Sequence, residues 1–497
     1  MNAAPKVWSI AGNDPSCGAG VQSDTSVMRA LGGHPGAVIA ALTAQNSRHV
    51  EATLCVDPDF ILCQIQALLQ EGPPAAVKTG MLGGAAQVRA VARALKPVVT
   101  AIVCDPVILS NSGFPLLDDQ GLECLITEFF PLVTLLTPNL PECVRLTGRT
   151  AISRDDLPEI AQMLRAMGPR AVLIKGGHAE GEECCDYYAD ELCSFRLRSP
   201  RRPGPNVHGT GCLFSAAAAT FIALGYALPD AVTLAKTCIN QGLRLAIREA
   251  SGASFMRHHA WPDHPEDFPH IVESPALFRP ETPFPSCGPA PIGLYPLVDS
   301  AAKAQHLMEL GVSTLQLRLK NPTPEAVDRE IQTAVAAARQ AGCRLFINDH
   351  WEAAIRHQAY GVHLGREDLK TADLRALHEA GLRLGTSTHS FYELAAALTL
   401  CPSYVAMGTV FHSPSKPGLT KLLGVDGLRK LIQLAGIPAV AIGGLHVENA
   451  APVLRAGASG VAVISDLQNA PDVKKRLEEW RHLFQAQGIE EQPVAQP

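Results

Sequence analysis

The sequence has 497 residues, of which 47% are hydrophobic and 18% are charged, a composition typical of soluble globular proteins. Its length fits two large α/β domains as well as three small ones. The net charge of -6 argues against general nucleic-acid binding, which usually needs a basic surface.

Cysteine usage and the N-terminus bear on the compartment. The 14 cysteines are irregularly spaced and form no CxxC pair, so the sequence predicts no structural zinc site. Many free thiols favour a reducing, cytoplasmic environment. The apolar run after Lys6 is too short for a signal peptide, and residues 213–228 are too short and interrupted to span a membrane. We therefore expect a cytoplasmic protein without membrane or nucleic-acid partners.

The first half alternates short β-rich runs with helical stretches. The runs are residues 7–10, 37–42, 75–78, 101–104, 133–137 and 171–175. This alternation predicts an open, mostly parallel sheet with helices on both faces. Polar or glycine-containing loops follow several of the runs, at the edge where open α/β sheets bind ligands.

The sharpest local motif is His208-Gly209-Thr210-Gly211-Cys212 before a run of small residues. Glycines let the backbone approach a ligand, and a helix start offers free N–H groups and a positive dipole. The motif predicts an anion hole for a transferring phosphoryl group. Cys212 at the helix start is expected to have a lowered pKa and to accept a proton. A glycine turn before a core helix explains the motif alone equally well.

Proline density marks the middle of the chain. Residues 264–290 contain prolines at a density that blocks helices and central strands, which predicts a linker. We therefore predict domains at residues 1–263 and 291–485, joined by this linker and followed by a polar tail at residues 486–497.

The second half predicts a (β/α)₈ TIM barrel. Eight β-rich runs alternate with helical stretches, at residues 292–298, 314–320, 344–349, 361–365, 383–389, 404–410, 439–443 and 460–465. Polar side chains cluster at the ends of these runs, where barrels carry their chemistry.

These polar side chains suggest two anion sites. Gln316, Arg318 and Lys320 alternate along one strand and so face one way. Asp349 and Asp368 follow neighbouring strands, and carboxylates beside clustered cations fit a magnesium–pyrophosphate site. Other candidates are Ser413, Ser415 and Lys416 in one loop, and Gly443, Gly444, Ile464 and Ser465 at the last two strands. A solvated rim with salt bridges is the alternative.

The first half resembles the hydroxymethylpyrimidine/phosphomethylpyrimidine kinases of the ribokinase superfamily. The resemblance lies in residues 12–24, 41–46 (ALTAQN), 77–82 (VKTGML), 105–107, 137–142, 174–178 and 208–212. It implies a ribokinase-like sandwich that uses ATP as co-substrate. It also implies that the pyrimidine site is lined by Asp24, Gln45 and Met81, and that nucleotide phosphates are bound by Lys175, Gly209, Thr210 and Gly211. Asp105 and Glu142 would lie near magnesium. Cys212 would be the catalytic residue. For Asp105 or Glu142 taken alone, a helix cap or loop carboxylate is an equal alternative.

The second half resembles thiamine-phosphate synthase over residues 291–480. The resemblance lies in the stretches QLRLK, INDHW, GVHLGREDL, GTSTHS, FHSPSK, AIGGL and VAVIS. It implies that pyrophosphate is contacted by Arg318, Lys320, Asn348, Ser387 and Lys416, and that Mg²⁺ is bound by Asp349 and Asp368. Gln316 would contact the pyrimidine, and Ser413 and Ser415 would bind substrate. A thiazole phosphate would be held by Gly443, Gly444, Ile464 and Ser465.

Several positions depart from the two family patterns. Asn13 replaces a usual Ser, and Cys17 replaces a usual Gly, which is expected to crowd the first loop. In the barrel, Pro414 is displaced within its loop, and Arg366 stands where Gln is common and adds a charge.

Together the two resemblances imply a bifunctional enzyme of thiamine biosynthesis. The pyrimidine alcohol and its monophosphate would be phosphorylated, and the pyrophosphate would then be coupled to thiazole phosphate. The partners implied are small-molecule substrates, and the sequence leaves open whether the chain forms a homo-oligomer. The alternatives are a pyridoxal-type kinase fused to a phosphate-binding barrel of other activity, and a degenerate half kept as a sensor or scaffold.

Overall fold

The structure is a computed structural model that describes residues 3–46, 49–110, 113–177, 181–202, 207–248, 254–256, 261–274, 278–319, 323–412 and 422–489. The chain divides into two compact units, Met1–Pro275 and Ala276–Pro497. The division falls inside the stretch that the sequence predicts to be a linker.

The first unit is built on an extended mixed sheet. Its strands are β1 (Lys6–Gly12), β2 (His34–Gln45), β3 (Val50–Cys55), β4 (Ala76–Thr79), β5 (Ala101–Cys104), β6 (Leu135–Leu136), β7 (Ala171–Ile174), β8 (Glu183–Ala189), β9 (Ser194–Pro200), β10 (Val207–His208), β11 (Ile247–Arg248), β12 (Ser254–Phe255) and β13 (His270–Val272). The described residues form a ten-stranded sheet in the order β13-β9-β8-β7-β6-β5-β4-β1-β2-β3, while β10, β12 and β11 form a separate three-stranded sheet.

The predicted mostly parallel sheet is confirmed in its centre. Across the sheet, the strands β2, β1, β4, β5, β6 and β7 lie side by side in this order, and each pairs in parallel with its neighbours. These strands are short apolar runs because parallel strands are covered by helices on both faces. The antiparallel strands at both ends of the sheet were not predicted: β3 pairs with β2, and β8, β9 and β13 follow β7.

The helices of this unit cover the sheet. They are α1 (Gly20–Ala30), α2 (Pro58–Gln70), α3 (Ala85–Leu95), α4 (Asp119–Cys124), α5 (Leu140–Thr147), α6 (Leu157–Ala166), α7 (Thr210–Ala223) and α8 (Leu228–Arg244). In α7, residues 213–221 are all buried, and small side chains let this helix lie close to the sheet and to α8. The start of α7 is thereby fixed at the carboxyl ends of the central strands.

The second unit is a closed barrel of parallel strands, which confirms the predicted TIM barrel. The strands are β14 (Gly293–Val298), β15 (Thr314–Leu317), β16 (Arg344–Asn348), β17 (Gly361–Leu364), β18 (Arg383–Thr388), β19 (Tyr404–Met407), β20 (Ala439–Ile442) and β21 (Gly460–Val463). Each of the eight predicted runs contains a strand, and each strand is shorter than its run, in all but the first at the carboxyl end. The barrel closes where β14 pairs with β21.

Helices surround the barrel. They are α9 (Ala301–Glu309), α10 (Pro324–Ala341), α11 (Trp351–Arg356), α12 (Arg366–Thr371), α13 (Leu374–Glu379), α14 (Phe391–Leu398), α15 (Gly424–Ala435), α16 (Ala451–Arg455), α17 (Ser465–Gln468) and α18 (Val473–Ala486). Within the described ranges of both units, none of the helices has the length and apolarity needed to cross a membrane.

The second half of the predicted linker is part of the barrel unit. Phe284 and Cys287 are buried, and Cys287 belongs to the barrel's hydrophobic core. The Phe284 N–H donates to the Cys401 carbonyl at 3.0 Å, and the Arg383 side chain donates to the Ser286 carbonyl at 2.9 Å. The residues before β14 therefore pack on the barrel as structured chain.

Candidate active sites

A cavity of about 400 Å³ lies in the first unit, at the ends of β1, β4 and β5 and the start of α7. This is the size of an ordinary small-molecule pocket. Its wall includes nearly all the residues predicted for the kinase site, namely Gln45, Met81, Asp105, Glu142, Lys175, Gly209, Thr210, Gly211 and Cys212. The fold thus brings together motifs that are widely separated in sequence.

An ion pair lies under the glycine loop. The Lys175 Nζ is 2.6 Å from Asp105 Oδ1, and both side chains are largely buried. A Cβ at Gly211 would lie 3.2 Å from Lys175 Nζ and 3.3 Å from Asp105 Oδ2, so the loop backbone rests directly on the pair. Burial opposes the charged form of Lys175, but the carboxylates of Asp105 and Glu142 outweigh it and raise its pKa. A permanent positive charge therefore sits beside the backbone N–H groups that begin α7.

Glu142 has a structural role as well as a place on the cavity wall. It forms a capping box with Asn139 at the start of α5, accepting the Asn139 N–H at 2.7 Å. Burial raises the pKa of Glu142 to about 8, against the lowering effect of Lys175. The helix-cap interpretation therefore holds for Glu142. The Asp105 carboxylate also lies on the cavity wall, so Glu142 is one of two carboxylates there.

Cys212 lies in the first turn of α7, but its thiol is not acidified as the sequence predicted. Burial raises the pKa of Cys212 above its ordinary value, and the Lys78 ammonium counteracts only part of that rise. Helix position alone was a poor guide because it omits the cost of burying an anion. Lys78, which also lines the cavity, was missed in the sequence although it stands inside the VKTGML stretch.

Asp24 lies behind the cavity wall, which corrects the prediction that it lines the pyrimidine site. Its side chain is fully buried, and its Oδ2 accepts hydrogen bonds from Ser9 Oγ at 2.5 Å and Lys78 Nζ at 2.7 Å. Asp24 therefore acts on the cavity through Lys78. Gln45 and Met81 do lie on the wall, with the Met81 sulfur packed against Gly12.

Two loops of the kinase site touch where glycine is required. Gly209 has φ 87°, and a Cβ there would lie 1.9 Å from the Gly18 carbonyl oxygen. The first loop is therefore held against the phosphate loop. Cys17, in the first loop, has φ 57°, a conformation that favours glycine. Cysteine at this position therefore carries backbone strain, an effect separate from the expected crowding of the loop.

The barrel mouth brings together four of the residues predicted to bind magnesium pyrophosphate. Asp349 is within hydrogen-bonding reach of Asp368, with Arg318 and Asn348 beside it. Burial raises the pKa of Asp349 to about 6, and the charge of Asp368 adds to the rise while Arg318 opposes it. A Cβ at Gly365 would lie 2.9 Å from Asp368 Oδ2, so this glycine leaves room for the carboxylate.

Paired carboxylate oxygens next to an arginine have the chemistry of a Mg²⁺ site completed by phosphate oxygens. Groups of three or more His, Cys, Asp or Glu that could hold a metal are not found in the described part of the chain. A pair of aspartates with substrate oxygens still suits magnesium, which retains water and uses few carboxylates.

The remaining barrel residues divide into three groups. Gly443 and Gly444 have positive φ and pack on the loop after β19, where a Cβ would lie 2.4 Å from Thr409 Cγ2 and 2.3 Å from the His412 oxygen respectively. Ile464 and Ser465 stand at the start of α17. Outside the described residues lie Lys320, Ser413, Ser415 and Lys416.

Arg366 has local partners at the barrel mouth. Its guanidinium lies 3.3 Å from the Glu393 carboxylate and 4.8 Å from the centre of the Tyr392 ring. The added charge of Arg366 is therefore paired with Glu393 and stacked on Tyr392.

Gln316 and Ser387 have buried partners that the sequence analysis did not select. Gln316 Nε2 donates to the Tyr295 hydroxyl at 3.2 Å, and Ser387 Oγ lies 2.8 Å from His363 Nε2. Tyr295 and His363 are polar or aromatic residues in otherwise apolar strand runs. A polar or aromatic residue inside an apolar strand run was the sequence signal that could have identified Tyr295 and His363.

Comparisons with known proteins match each unit to a family. The family model described as phosphomethylpyrimidine kinase matches residues 14–256, and the one described as thiamine monophosphate synthase matches residues 294–467. A probable thiamine biosynthetic bifunctional enzyme, chloroplastic, from Oryza sativa subsp. japonica is 30% identical over 492 residues, covering 94% of this chain and 87% of that protein.

Single-activity proteins resemble each half. The thiamine-phosphate synthase of Serratia proteamaculans is 48% identical over 192 residues, covering 38% of this chain and 90% of that protein. The structure of pyridoxal kinase from Staphylococcus aureus in complex with ADP is 26% identical with a TM-score of 0.51, covering 55% of this chain and 100% of that one.

Proposed function

The chain belongs to the bifunctional thiamine biosynthetic enzymes, with a kinase of the phosphomethylpyrimidine type fused to a thiamine-phosphate synthase, and we propose which of its residues perform each reaction. The observation that carries the proposal is that nine of the predicted kinase residues line one cavity, while Arg318, Asn348, Asp349 and Asp368 meet at one barrel mouth. We further propose that ATP is the phosphoryl donor and that both sites use Mg²⁺. The ADP complex of the related pyridoxal kinase supports the nucleotide.

In the kinase site, positive groups converge on the start of α7. The Lys175 ammonium and the N–H groups of Gly209–Gly211 at the start of α7 would stabilise a phosphoryl group in transfer. Asp105 and Glu142 are the carboxylates that would hold magnesium, which would neutralise phosphate charge when bound. Cys212 holds the substrate hydroxyl and accepts its proton, and Lys78 favours the resulting thiolate.

In the barrel, the chain stabilises a departing anion. Arg318 and Asn348 bind the pyrophosphate, and Asp349 with Asp368 would hold the magnesium that offsets its charge. Departure of pyrophosphate from the pyrimidine methylene leaves a cation, which the thiazole nitrogen captures. Gly443, Gly444, Ile464 and Ser465 bind the thiazole phosphate. No protein nucleophile is required, so the residues act by positioning and by charge stabilisation.

Pyridoxal phosphorylation is the second candidate activity for the kinase site. Structural likeness to a pyridoxal kinase supports it, whereas the family model names phosphomethylpyrimidine kinase. Comparing kcat/KM for hydroxymethylpyrimidine and pyridoxal separates the two. We expect a preference for the pyrimidine, and a preference for pyridoxal would replace the proposed substrate.

The function is tested by supplying the purified protein with hydroxymethylpyrimidine, ATP, Mg²⁺ and thiazole phosphate. We expect thiamine phosphate to form. Failure to form it would contradict the combined assignment.

Two single variants, each inactivating one of the two sites, test which site performs which reaction. Cys212→Ala should make very little product from the alcohol but should use added pyrimidine pyrophosphate, whereas Asp349→Asn should accumulate pyrimidine pyrophosphate. Mixing the two variants should restore product formation. If the mixture stays inactive although each retains its other activity, the sites do not work through a released intermediate.

A further inference from the structure

A continuous chain of hydrogen bonds crosses the barrel interior between two residues of the proposed pyrimidine pyrophosphate site. Gln316 Nε2 donates to Tyr295 at 3.2 Å, and the hydroxyls of Tyr295 and Tyr404 are 2.8 Å apart. Tyr404 then lies 2.8 Å from His363 Nδ1, and His363 Nε2 lies 2.8 Å from Ser387 Oγ. Four of the five side chains are buried, and Ser387 is half-buried.

The strand register builds this chain. His363 on β17 is level with Gly385 on β18, which is level with Tyr404 on β19. A Cβ at Gly385 would lie 2.4 Å from the Tyr404 hydroxyl oxygen and still closer to its ring. Glycine at this position therefore lets the Tyr404 ring cross β18 and reach His363.

One end of the chain has a fixed direction. A side-chain amide nitrogen can only donate, so the Tyr295 oxygen accepts from Gln316. In the contacts from Tyr295 to Tyr404, His363 and Ser387 either partner can donate, so these bonds fix where the side chains lie and not one proton order.

The bond to Tyr295 determines what Gln316 offers to a ligand. One amide N–H of Gln316 is used internally, which leaves the amide oxygen to accept from a donor. At the other end, the Ser387 hydroxyl, which can both donate and accept, is held by His363. An aminopyrimidine pyrophosphate has both partners, because its exocyclic amino group donates while its ring nitrogens and phosphate oxygens accept.

We propose that Tyr295, Tyr404 and His363 are positioning residues of the synthase, holding the Gln316 amide and the Ser387 hydroxyl in place toward the aminopyrimidine substrate. This inference rests on the proposed function of the barrel site. A buried polar chain with every member paired also fixes side-chain orientation, because an unpaired member is costly.

The test uses the full chain carrying Tyr404→Phe, which removes one oxygen from the middle of the hydrogen-bond chain. We expect KM for pyrimidine pyrophosphate to rise about tenfold, the effect of about one hydrogen bond. KM for thiazole phosphate and the kinase turnover should stay within about twofold of the parent. The matched control is Tyr360→Phe, which loses a barrel hydrogen bond to the Cys287 carbonyl outside the chain and should leave both KM values at the parent level.

Coupling provides the readout that a merely structural role would not give. If Tyr404 acts partly through Ser387, then combining Tyr404→Phe with Ser387→Ala should raise KM by less than the product of the single effects. A parent-like KM in Tyr404→Phe, multiplicative effects in the double variant, or an equal KM rise in Tyr360→Phe would each overturn the inference.

Tyr295→Phe breaks the same chain one link earlier and replaces Tyr404→Phe if that protein does not fold. A parent enzyme that makes no thiamine phosphate from the supplied pyrophosphate would instead refute the proposed function, so the two failures are distinct.

Discussion

The Lys78 ammonium lies 2.7 Å from the Asp24 carboxylate, and neither side chain has any exposed surface. Burial raises the pKa of Asp24 despite this cation, while the charge of Asp24 keeps Lys78 protonated against its own burial. Lys78 also lines the kinase cavity next to Cys212. One buried cation therefore links an internal carboxylate to the proposed catalytic thiol.

Replacing Lys78 should damage both stability and phosphorylation. In Lys78→Met the Asp24 charge is left buried and unpaired, and we expect the first unit to lose about 3–5 kcal/mol of unfolding free energy. Calorimetry and kinase assays check this, with the exposed Lys96→Met as control. The double variant Asp24→Leu/Lys78→Met should recover stability but not kinase turnover. A single variant as stable as the parent would contradict the burial argument.

The kinase reaction should become faster with pH if the Cys212 thiolate is the base. Because burial raises the pKa of this thiol, it is protonated at neutral pH, and the thiolate fraction grows as pH rises toward that pKa. We expect kcat to increase from about pH 7 to about pH 9 in the parent. Cys212→Asp, whose carboxylate is already ionised, should lose this slope.

Removal of the thiol gives the complementary result. Cys212→Ala should lower kinase turnover by about 10²–10⁴-fold, the usual contribution of a general base, while synthase activity stays unchanged. An alkaline slope that persists in Cys212→Ala would assign the titration to another group.

Asp349→Asn should weaken the magnesium-dependent release of pyrophosphate in the synthase. The change removes one charge of the Asp349/Asp368 pair, so we expect turnover to fall by at least about tenfold, the loss found even for outer-shell partners of metals. Excess Mg²⁺ should recover part of it. Product assays across a magnesium titration measure this, with the exposed Asp426→Asn as control. Parent turnover with the parent's magnesium dependence would remove Asp349 from the ligand set.

The barrel should need the residues that precede its first strand. A fragment beginning at residue 278 keeps Phe284 and Cys287 in place and should fold and make thiamine phosphate from supplied pyrophosphate. A fragment beginning at residue 291 exposes the surface they cover and should unfold at lower temperature. In the full chain, Phe284→Ala should cost about 3–5 kcal/mol, measured by denaturation against the half-buried Phe278→Ala. Equal stability of the two fragments would show that the segment is dispensable.

Much of the architecture was present in the sequence by itself. The eight barrel strands and the central parallel strands are short apolar runs, since strands covered on both faces need hydrophobic residues throughout. The glycine motif before α7 was equally local, because a left-handed residue at Gly209 and small side chains behind it leave a direct mark on composition. Candidate site residues followed from polar groups at strand ends.

Only the tertiary structure decided how those residues are used. The burial of Asp24 and its pairing with Lys78 depend on residues 54 positions apart, and the raised pKa of Cys212 depends on what covers it. The edge strands β3, β8 and β9 and the packing of Phe284 were missed because their partners are chosen by contact across the fold. The chain from Gln316 to Ser387 exists because β14, β15, β17, β18 and β19 place their inward side chains within reach, and strand register is a property of the closed barrel.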